Sequence, residues 1–205
     1  MPSLKFHCVD IHALYDTPED WIAQVVSLAG RAAKAVRLTG KSTDCREPAS
    51  ATGMTYGVVT GDLIAEHLPW LTRFYKIHLA KFLSNTMARP VAPCQNDRYG
   101  ININVVNGLH GRYEWHVDPS PLAAILFATT HDIGTGGELA LRSADQLTRI
   151  HPRPGLIAIF EGGTIEHAVL PLATNTTRIS IPMLYYDNTE VQPFPQELDD
   201  YLYGN

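Results

Sequence analysis

Long basic runs are missing from this sequence. It has 16 Lys and Arg residues against 21 Asp and Glu residues, giving a formal net charge of −5. Proteins that bind a nucleic-acid backbone concentrate Lys and Arg on one surface, and no such cluster is visible here. We therefore expect no nucleic-acid partner.

Cysteines and long apolar segments are scarce as well. The 3 cysteines, Cys8, Cys45 and Cys94, lie far apart and form no CxxC pair, which favours free thiols over disulfides or a zinc site. No apolar stretch reaches the roughly 18 residues of a transmembrane helix, and the first residues lack the apolar core of a signal peptide. The sequence predicts a cytoplasmic protein without membrane contact, either a monomer or a homodimer.

Helical patterns occupy the first part of the chain. Residues 17–20 read TPED, which is typical of a helix start with Thr17 as the capping residue. The spacing of apolar residues then predicts a helix after this start and a second helix over 62–84. The intervening residues 40–60 are rich in Gly, Ser, Thr and Pro and are predicted to form a loop.

Short β-rich segments replace this pattern in the second half. They are separated by turn residues, including GTGG and EGG, whose glycines are predicted to form hairpin turns. The segments are 98–106, 112–118, 122–130, 137–142, 155–160, 166–170 and 177–186. Helices followed by strands indicate one α+β domain. We expect residues 1–205 to divide into mainly helical support on one outer face of the sheet (1–94), a β core (95–187) and a C-terminal tail (188–205).

The segment YEWHVD combines a histidine and an aspartate two positions apart. In a strand, alternation places His116 and Asp118 on one face, with Trp115 and Val117 on the other. Two ligands then point at the same place, although such a triplet also occurs by chance on surfaces. A metal site needs a third ligand.

Two downstream histidines compete for that third position. His167 lies in a β-rich segment, whereas His151 lies in HPRPG, where two prolines favour a loop. We select His167, which completes the set of two histidines and one carboxylate found in non-haem Fe(II) oxygenases. The other histidines are predicted to lie at the surface or the edge of the core; they are His7, His12, His67, His78, His110 and His131.

An arginine and a serine extend this pattern. Arg178 follows His167, and Ser180 shares its strand face. His-x-Asp, a distal His and then an Arg make residues 95–187 resemble the Fe(II)/2-oxoglutarate-dependent dioxygenase superfamily, close to its prolyl-hydroxylase-like branch. The resemblance implies a double-stranded β-helix (jelly-roll, cupin-like) core. It also implies that His116, Asp118 and His167 hold Fe(II), with 2-oxoglutarate and O2 as cosubstrates.

The resemblance also assigns roles around 2-oxoglutarate. Arg178 would bind the far carboxylate with its two-donor guanidinium, assisted by the Ser180 hydroxyl. Strand alternation should turn Ile101, Ile103 and Val105 toward the helices, and Asn102 and Asn104 inward. One of these amides, or Tyr99, would then contact the oxoacid.

The sequence departs from the branch at one position. Phe127 stands where the branch often has a tyrosine hydroxyl for the far carboxylate. Ser180, Thr129 or a water molecule is left to supply the missing hydrogen bond.

The implied reaction is decarboxylation of 2-oxoglutarate to succinate and CO2, coupled to hydroxylation of an unactivated C–H bond. Asp118 disfavours halogenation, because halogenating members have Gly or Ala at this position; desaturation and ring formation stay open. Arg112 and Glu114 share the alternation of His116 and, with Arg142, are expected at the pocket mouth. A polar mouth favours a small polar metabolite, such as an amino acid or a natural-product intermediate.

Three other functions stay open. A peptidyl or prolyl hydroxylase would use the same metal site on a larger substrate. A cupin-like metal isomerase or binding module would share the fold and would not need 2-oxoglutarate.

Overall fold

Antiparallel β-strands form most of the structure, a computed structural model that describes residues 6–37, 55–143 and 146–187. The strands are β1 (Phe6–Asp10), β2 (Lys34–Arg37), β3 (Thr55–Val59), β4 (Val91–Pro93), β5 (Ile103–Asn107), β6 (Tyr113–His116), β7 (Leu122–Phe127), β8 (Leu139–Ser143), β9 (Gln146–Ile150), β10 (Leu156–Phe160), β11 (Glu166–Val169) and β12 (Thr177–Asp187). The predicted strands are confirmed in outline, within a larger β-structure than the sequence suggested.

The strands form two sheets. The major sheet has 8 strands in the order β1-β10-β7-β12-β5-β3-β2, with β4 also paired to β12. The minor sheet has 4 strands in the order β6-β11-β8-β9. The chain passes repeatedly from one sheet to the other, as in a double-stranded β-helix. The predicted fold class is confirmed.

Strand alternation separates two apolar layers. In β7, Leu122, Ala124 and Leu126 pack in a cluster with the helices. The alternate residues Ala123, Ile125 and Phe127 pack with Leu139 and Leu141 of the minor sheet. The period of two in side-chain direction therefore gives the major sheet a helix-covered outer face and an inner face directed at the minor sheet.

The helices precede the strands of the minor sheet along the chain. They are α1 (Trp21–Ala32), α2 (Gly61–His67), α3 (Pro69–Arg73), α4 (Ala80–Met87) and α5 (Asp97–Gly100), with a 3-10 turn at Ile11–Ala13. A π-helical segment, Phe74–Leu79, joins α3 to α4. Their buried residues form the cluster on the outer face of the major sheet, as predicted.

Two details of the helix prediction were wrong. The helix predicted over 62–84 is interrupted at Leu68, because Pro69 opens a new helix at its first position. Thr17 does not cap α1: the helix begins later, after Asp20, whose side chain makes no capping hydrogen bond. Residues 18–21 form a turn before the helix, in which the Trp21 backbone donates to the Pro18 carbonyl at 3.1 Å.

The N-terminal region contributes strands that the sequence analysis did not predict. β1 to β4 all join the major sheet, and β3 lies inside the segment predicted to be a loop. The described part of 40–60 is limited to 55–60, so the rest of that prediction lies outside the described residues. Conversely, the segment predicted as a strand over 98–106 starts within α5, where the Asn96 side chain accepts a hydrogen bond from the Arg98 backbone.

The predicted hairpin turns were also wrong. GTGG lies between β7 and β8, and EGG lies between β10 and β11. In both cases the two flanking strands belong to different sheets. The glycines therefore serve connections between sheets. In the ranges described, no helix combines the length and apolar character needed to cross a bilayer.

Candidate active site

Three potential metal ligands meet at one end of the minor sheet. β11 pairs with β6 so that His167 lies opposite His116, and Asp118 follows β6 directly. The Nε2 atoms of His116 and His167 lie 3.7 and 3.5 Å from the same Asp118 oxygen, Oδ1. One ligand atom from each of the three residues lies within 4.8 Å of the others. This spacing fits a single cation between them.

Backbone carbonyls orient both imidazoles. The Nδ1 of His116 lies 2.8 Å from the Glu114 carbonyl oxygen, and the Nδ1 of His167 lies 3.2 Å from that of Ile165. A carbonyl only accepts, so each Nδ1 carries a hydrogen, and each ring presents the Nε2 lone pair to the site when it is neutral. A hydrogen bond of this kind fixes the tautomer of a metal-binding histidine.

Burial and mutual charge set the protonation of the three groups. Burial, then the nearby His167, lower the pKa of His116 to about 4. Burial also opposes the charged forms of His167 and Asp118, but their attraction outweighs it. The pKa of His167 is consequently raised and that of Asp118 is lowered. The site therefore favours a carboxylate beside a neutral His116, and His167 must release a proton to a metal wherever the pH lies below its raised pKa.

A glycine from EGG supports the carboxylate. The Asp118 backbone donates a hydrogen bond to the Gly162 carbonyl at 2.9 Å. A Cβ at Gly162 would lie 2.9 Å from Asp118 Oδ2 and 3.0 Å from the Ala123 Cβ. The absence of a side chain at Gly162 thus makes room for the Asp118 carboxylate. Sequence reasoning missed this role, since EGG was interpreted only as a turn.

The three ligands open into a cavity between the sheets. Its volume is about 950 Å³ with its open mouth included. The lining combines the ligands with apolar side chains, three tyrosines, two asparagines, Arg178 and Ser180. A concave, mainly apolar lining with a few polar groups suits a small-molecule ligand.

Arg178 is a buried cation in the lining. The residue is 1% exposed; its Nε donates to the Gly137 carbonyl at 2.8 Å and its Nη1 donates to Ser180 Oγ at 2.7 Å. The Nη2 atom is buried and has no hydrogen-bond partner among the described residues. Burial lowers the pKa of Arg178 to about 10, so the group remains charged at neutral pH. A buried charge with an unused donor fits an anionic ligand.

The predicted neighbours of 2-oxoglutarate divide into two groups. Ser180, Asn102, Asn104 and Tyr99 all line the cavity, and β12 and β5 place Ser180 opposite Asn104. Tyr99 does so from α5. Their contacts with an oxoacid stay a prediction.

Phe127 and Thr129 do not line the cavity. The Arg178 Cζ lies 5.3 Å from the centroid of the Phe127 ring, so the phenylalanine contacts the guanidinium with its ring. The Thr129 hydroxyl accepts a hydrogen bond from the Ile179 backbone at 3.0 Å. Thr129 is therefore engaged with β12, which leaves Ser180 as the protein hydroxyl beside Arg178.

The predicted pocket-mouth residues lie outside the cavity lining. Arg112 Nε donates to Glu114 Oε1 at 2.6 Å, and Arg142 Nε donates to Glu166 Oε2 at 2.7 Å. Arg142 also stacks on Trp115, with 4.4 Å between Cζ and the ring centroid. Each of these charges is paired with a neighbouring side chain, and a position of Arg112, Glu114 and Arg142 at the mouth stays a prediction.

A β-bulge changes which residues of β6 share a face with His116. His167 lies opposite His116, but Val169, two residues on, lies opposite Tyr113, three residues back. The extra residue in β6 interrupts its alternation. Tyr113 thereby joins His116 in the cavity lining, although strict alternation would place it on the opposite face. Tyr56 and Val58 were missed because β3 itself was not predicted.

Two further histidines bear on the prediction. His151 lies in the loop after β9 and is not among the three clustered ligands, so the structure favours His167. His131 is 3% exposed, not a surface or core-edge residue as predicted. Burial and then Arg178 lower its pKa.

The fold is shared with known oxygenases. No protein-family model matches the chain, and no curated protein matches it either. An oxidoreductase of the 2OG-Fe(II) oxygenase family from Burkholderia pseudomallei aligns over 92% of this chain and 88% of its own, with a TM-score of 0.66 and 11% identity. The non-haem alpha-ketoglutarate-dependent epimerase SnoN from nogalamycin biosynthesis aligns over 95% of this chain and 84% of its own, with a TM-score of 0.67 and 14% identity.

A prolyl-4-hydroxylase from Pseudomonas putida aligns over 89% of this chain and 92% of its own, with a TM-score of 0.55 and 13% identity. At these identities the likeness establishes the fold, and function must be argued from the site.

Proposed function

We propose that this protein is an Fe(II)- and 2-oxoglutarate-dependent dioxygenase that hydroxylates an unactivated C–H bond of a small molecule. The observation that carries the proposal is the meeting, in one cavity, of His116, Asp118 and His167 with the buried guanidinium of Arg178. A facial set of two histidines and one carboxylate leaves coordination positions open for a chelating ligand and O2. A separate buried cation suits a ligand that carries a second carboxylate.

Each residue has a defined task in this proposal. Nε2 of both histidines and a carboxylate oxygen of Asp118 would hold Fe(II), with the carboxylate offsetting part of the metal charge. Arg178 would hold the far carboxylate of 2-oxoglutarate through Nη2, while its bonds to Gly137 and Ser180 fix the plane of the guanidinium. Fe(II), 2-oxoglutarate and O2, when bound, supply an oxidative decarboxylation to succinate and CO2 that is coupled to C–H hydroxylation.

The remaining lining would protect and orient the reactants. Ile125 and Leu139 bring apolar surface into the cavity from the two sheets, which limits access of water. Asn102 and Asn104 offer amide groups to polar atoms of the bound ligands. The site would therefore hold 2-oxoglutarate at its buried cation and leave the rest of the cavity to the primary substrate.

Two measurements test the proposal. Anaerobic addition of Fe(II) and 2-oxoglutarate should produce a visible metal-to-ligand charge-transfer band. Aerobic incubation with a panel of small metabolites, amino acids and proline-containing peptides should produce succinate, and the compound that accelerates succinate formation identifies the substrate class. His167→Ala should lose both signals, whereas His151→Ala, a matched change of a histidine outside the site, should keep them.

The alternatives give different results. Acceleration by peptides alone would indicate a peptidyl hydroxylase. Metal binding without the charge-transfer band and without succinate under any candidate substrate would contradict the proposal, and would favour a cupin-like isomerase or binding module.

A further inference from the structure

We infer that the primary substrate is an uncharged, ring-bearing molecule that binds against Tyr113 and Tyr56. The inference rests on the proposed function, because that function assigns Asp118 to the metal and Arg178 to 2-oxoglutarate. It concerns the part of the cavity that the metal and 2-oxoglutarate would not occupy.

An aromatic wall begins at a metal ligand and continues outward. The Tyr113 ring lies 4.7 Å from the His116 ring, centroid to centroid. The Tyr56 ring lies 5.0 Å from the Tyr113 ring at an interplanar angle of 76°. Both tyrosines line the cavity, one from each sheet. A substrate ring placed on this wall would lie beside the metal site, where a C–H bond must be presented.

Charge is nearly absent from this wall. Among the described residues of the lining, the charged side chains other than histidines are Asp118 and Arg178. Burial raises the pKa of Tyr56, although its hydrogen bond with Tyr113 opposes the shift, so this phenol is neutral at physiological pH. Once the metal and 2-oxoglutarate are bound, the described lining offers no charged partner to a substrate.

This distribution of charge disfavours an amino-acid substrate. A free amino acid brings an ammonium and a carboxylate, and an unpaired charge in a confined cavity is strongly disfavoured. The nearby Arg112 and Glu114 do not change this conclusion, because they pair with each other at 2.6 Å and lie outside the lining. Of the metabolites expected from the sequence, a neutral ring compound therefore fits the described cavity better than a zwitterion.

The lining still offers hydrogen bonds. Tyr56 and Tyr113 contribute hydroxyl groups, which can accept as well as donate a hydrogen bond. These groups suit hydroxyl or carbonyl oxygens on the substrate. The chemical class is thus a neutral ring system that carries oxygen substituents.

Four phenols with the same ring and different charges test the inference. They are 4-ethylphenol (neutral), tyramine (cation), 3-(4-hydroxyphenyl)propanoate (anion) and L-tyrosine (zwitterion). Each is titrated into the protein loaded with 2-oxoglutarate and with Zn(II), a redox-inert substitute for Fe(II). Binding is measured by calorimetry and by ligand-observed NMR. We expect 4-ethylphenol to bind at least about tenfold more tightly than each charged analogue, a difference of about 1.4 kcal/mol.

Three variants locate the binding site. Tyr113→Ala should lower the affinity for 4-ethylphenol about tenfold. In Tyr113→Phe, which keeps the ring, the affinity should stay within about threefold of wild type. Tyr15→Phe, a matched change outside the lining, should have no effect. Leu184→Lys places a cation in the lining and should reverse the preference between the anionic and neutral probes.

The outcomes separate this inference from the proposed function. If 2-oxoglutarate fails to bind the metal-loaded protein, the proposed function fails first. If 2-oxoglutarate binds and L-tyrosine equals or exceeds 4-ethylphenol, or the neutral phenol does not bind, the proposed function survives and the inference is overturned. Tight binding of 4-ethylphenol that is unaffected by Tyr113→Ala also overturns it.

Discussion

Arg178 donates a hydrogen bond from Nη1 to the Ser180 hydroxyl, two positions further along β12, at 2.7 Å. The bond of Nε to the Gly137 carbonyl holds the same guanidinium from another side. The buried Nη2 keeps its donors unused among the described residues. The group is therefore already oriented before an anion arrives, which reduces the entropy lost on binding.

Replacing Arg178 should weaken the binding of 2-oxoglutarate and leave metal binding intact. Arg178→Ala removes the counter-charge of a buried carboxylate, a loss of about 2–5 kcal/mol, so the affinity should fall about 30-fold or more. Arg178→Lys should give an intermediate loss, because it keeps the charge without the planar fork. Titration of 2-oxoglutarate into the anaerobic Fe(II) protein, followed by the charge-transfer band, measures both.

Arg142→Ala is the matched control, since it removes the same charge from a residue outside the cavity lining. It should bind 2-oxoglutarate as wild type does. Equal affinity in Arg178→Ala and wild type would mean that this arginine does not hold the cosubstrate.

Removing one of the three metal ligands should abolish metal binding without unfolding the protein. His116→Ala and Asp118→Ala each delete one of three ligands, so the Fe(II) affinity should fall by more than the 10–100-fold that is typical of changes in outer-shell partners. The melting temperature of the metal-free variants should stay close to wild type, because His116 ends β6, Asp118 follows it, and both lie outside the apolar clusters. Retained stoichiometric Fe(II) binding in either variant would refute the assignment.

Gly162 provides a test of the space around the carboxylate. In Gly162→Ala the new Cβ would approach Asp118 Oδ2 to 2.9 Å, so the carboxylate must move, and metal affinity should fall about 10–100-fold. Gly30→Ala is the control: a Cβ there meets nothing within 4 Å, and a helical Gly-to-Ala change stabilises by about 0.5–1 kcal/mol. Competition with a chromophoric chelator measures the first effect, and urea unfolding measures the second.

Metal affinity should decrease at low pH with a slope of one proton. Burial keeps His116 neutral, since its pKa is lowered to about 4. His167 differs: burial opposes its protonation, but Asp118 more than compensates and raises its pKa. Below that raised pKa, the metal must displace one proton, so affinity should fall about tenfold per pH unit. Above it, affinity should level off.

Zn(II) competition titrations between pH 5.5 and 8 give this slope. His151→Ala should leave it unchanged, because that imidazole lies outside the ligand cluster. A slope of zero would exclude a protonated His167, and a slope of two would mean that His116 is protonated as well.

The parts of the fold with a strong repeating pattern could be predicted from the sequence. Alternation in β5 correctly placed Ile103 and Val105 against the helices and Asn104 in the cavity. The short strands β1 and β3 were missed. β1 is largely exposed and lacks an alternating pattern, and β3 follows a segment rich in turn residues. Their strand conformation depends on pairing with β10 and β5, which are distant in sequence.

The site shows the same division. His116, Asp118 and His167 were found from their spacing together with the family resemblance, and the structure brings them together. Tyr113 was missed because the bulge in β6 reverses the direction that alternation assigns to it. Gly162 was missed because its role comes from a tertiary contact with Asp118 that its own sequence neighbours do not indicate. Tertiary pairing, rather than local propensity, determines these positions.

β1 has a consequence for solubility. It is the outermost strand of the major sheet and covers one edge of β10, whose sequence LIAIF is apolar and fully buried. An uncovered apolar edge is a template for pairing with a second chain. Detachment of Phe6–Asp10 would therefore expose the edge of β10. β10 has high β-propensity and no charge, which is the composition that promotes intermolecular sheet formation. Covering this edge makes β1 a safeguard against aggregation, although it lies at the end of the major sheet opposite to β3 and β2.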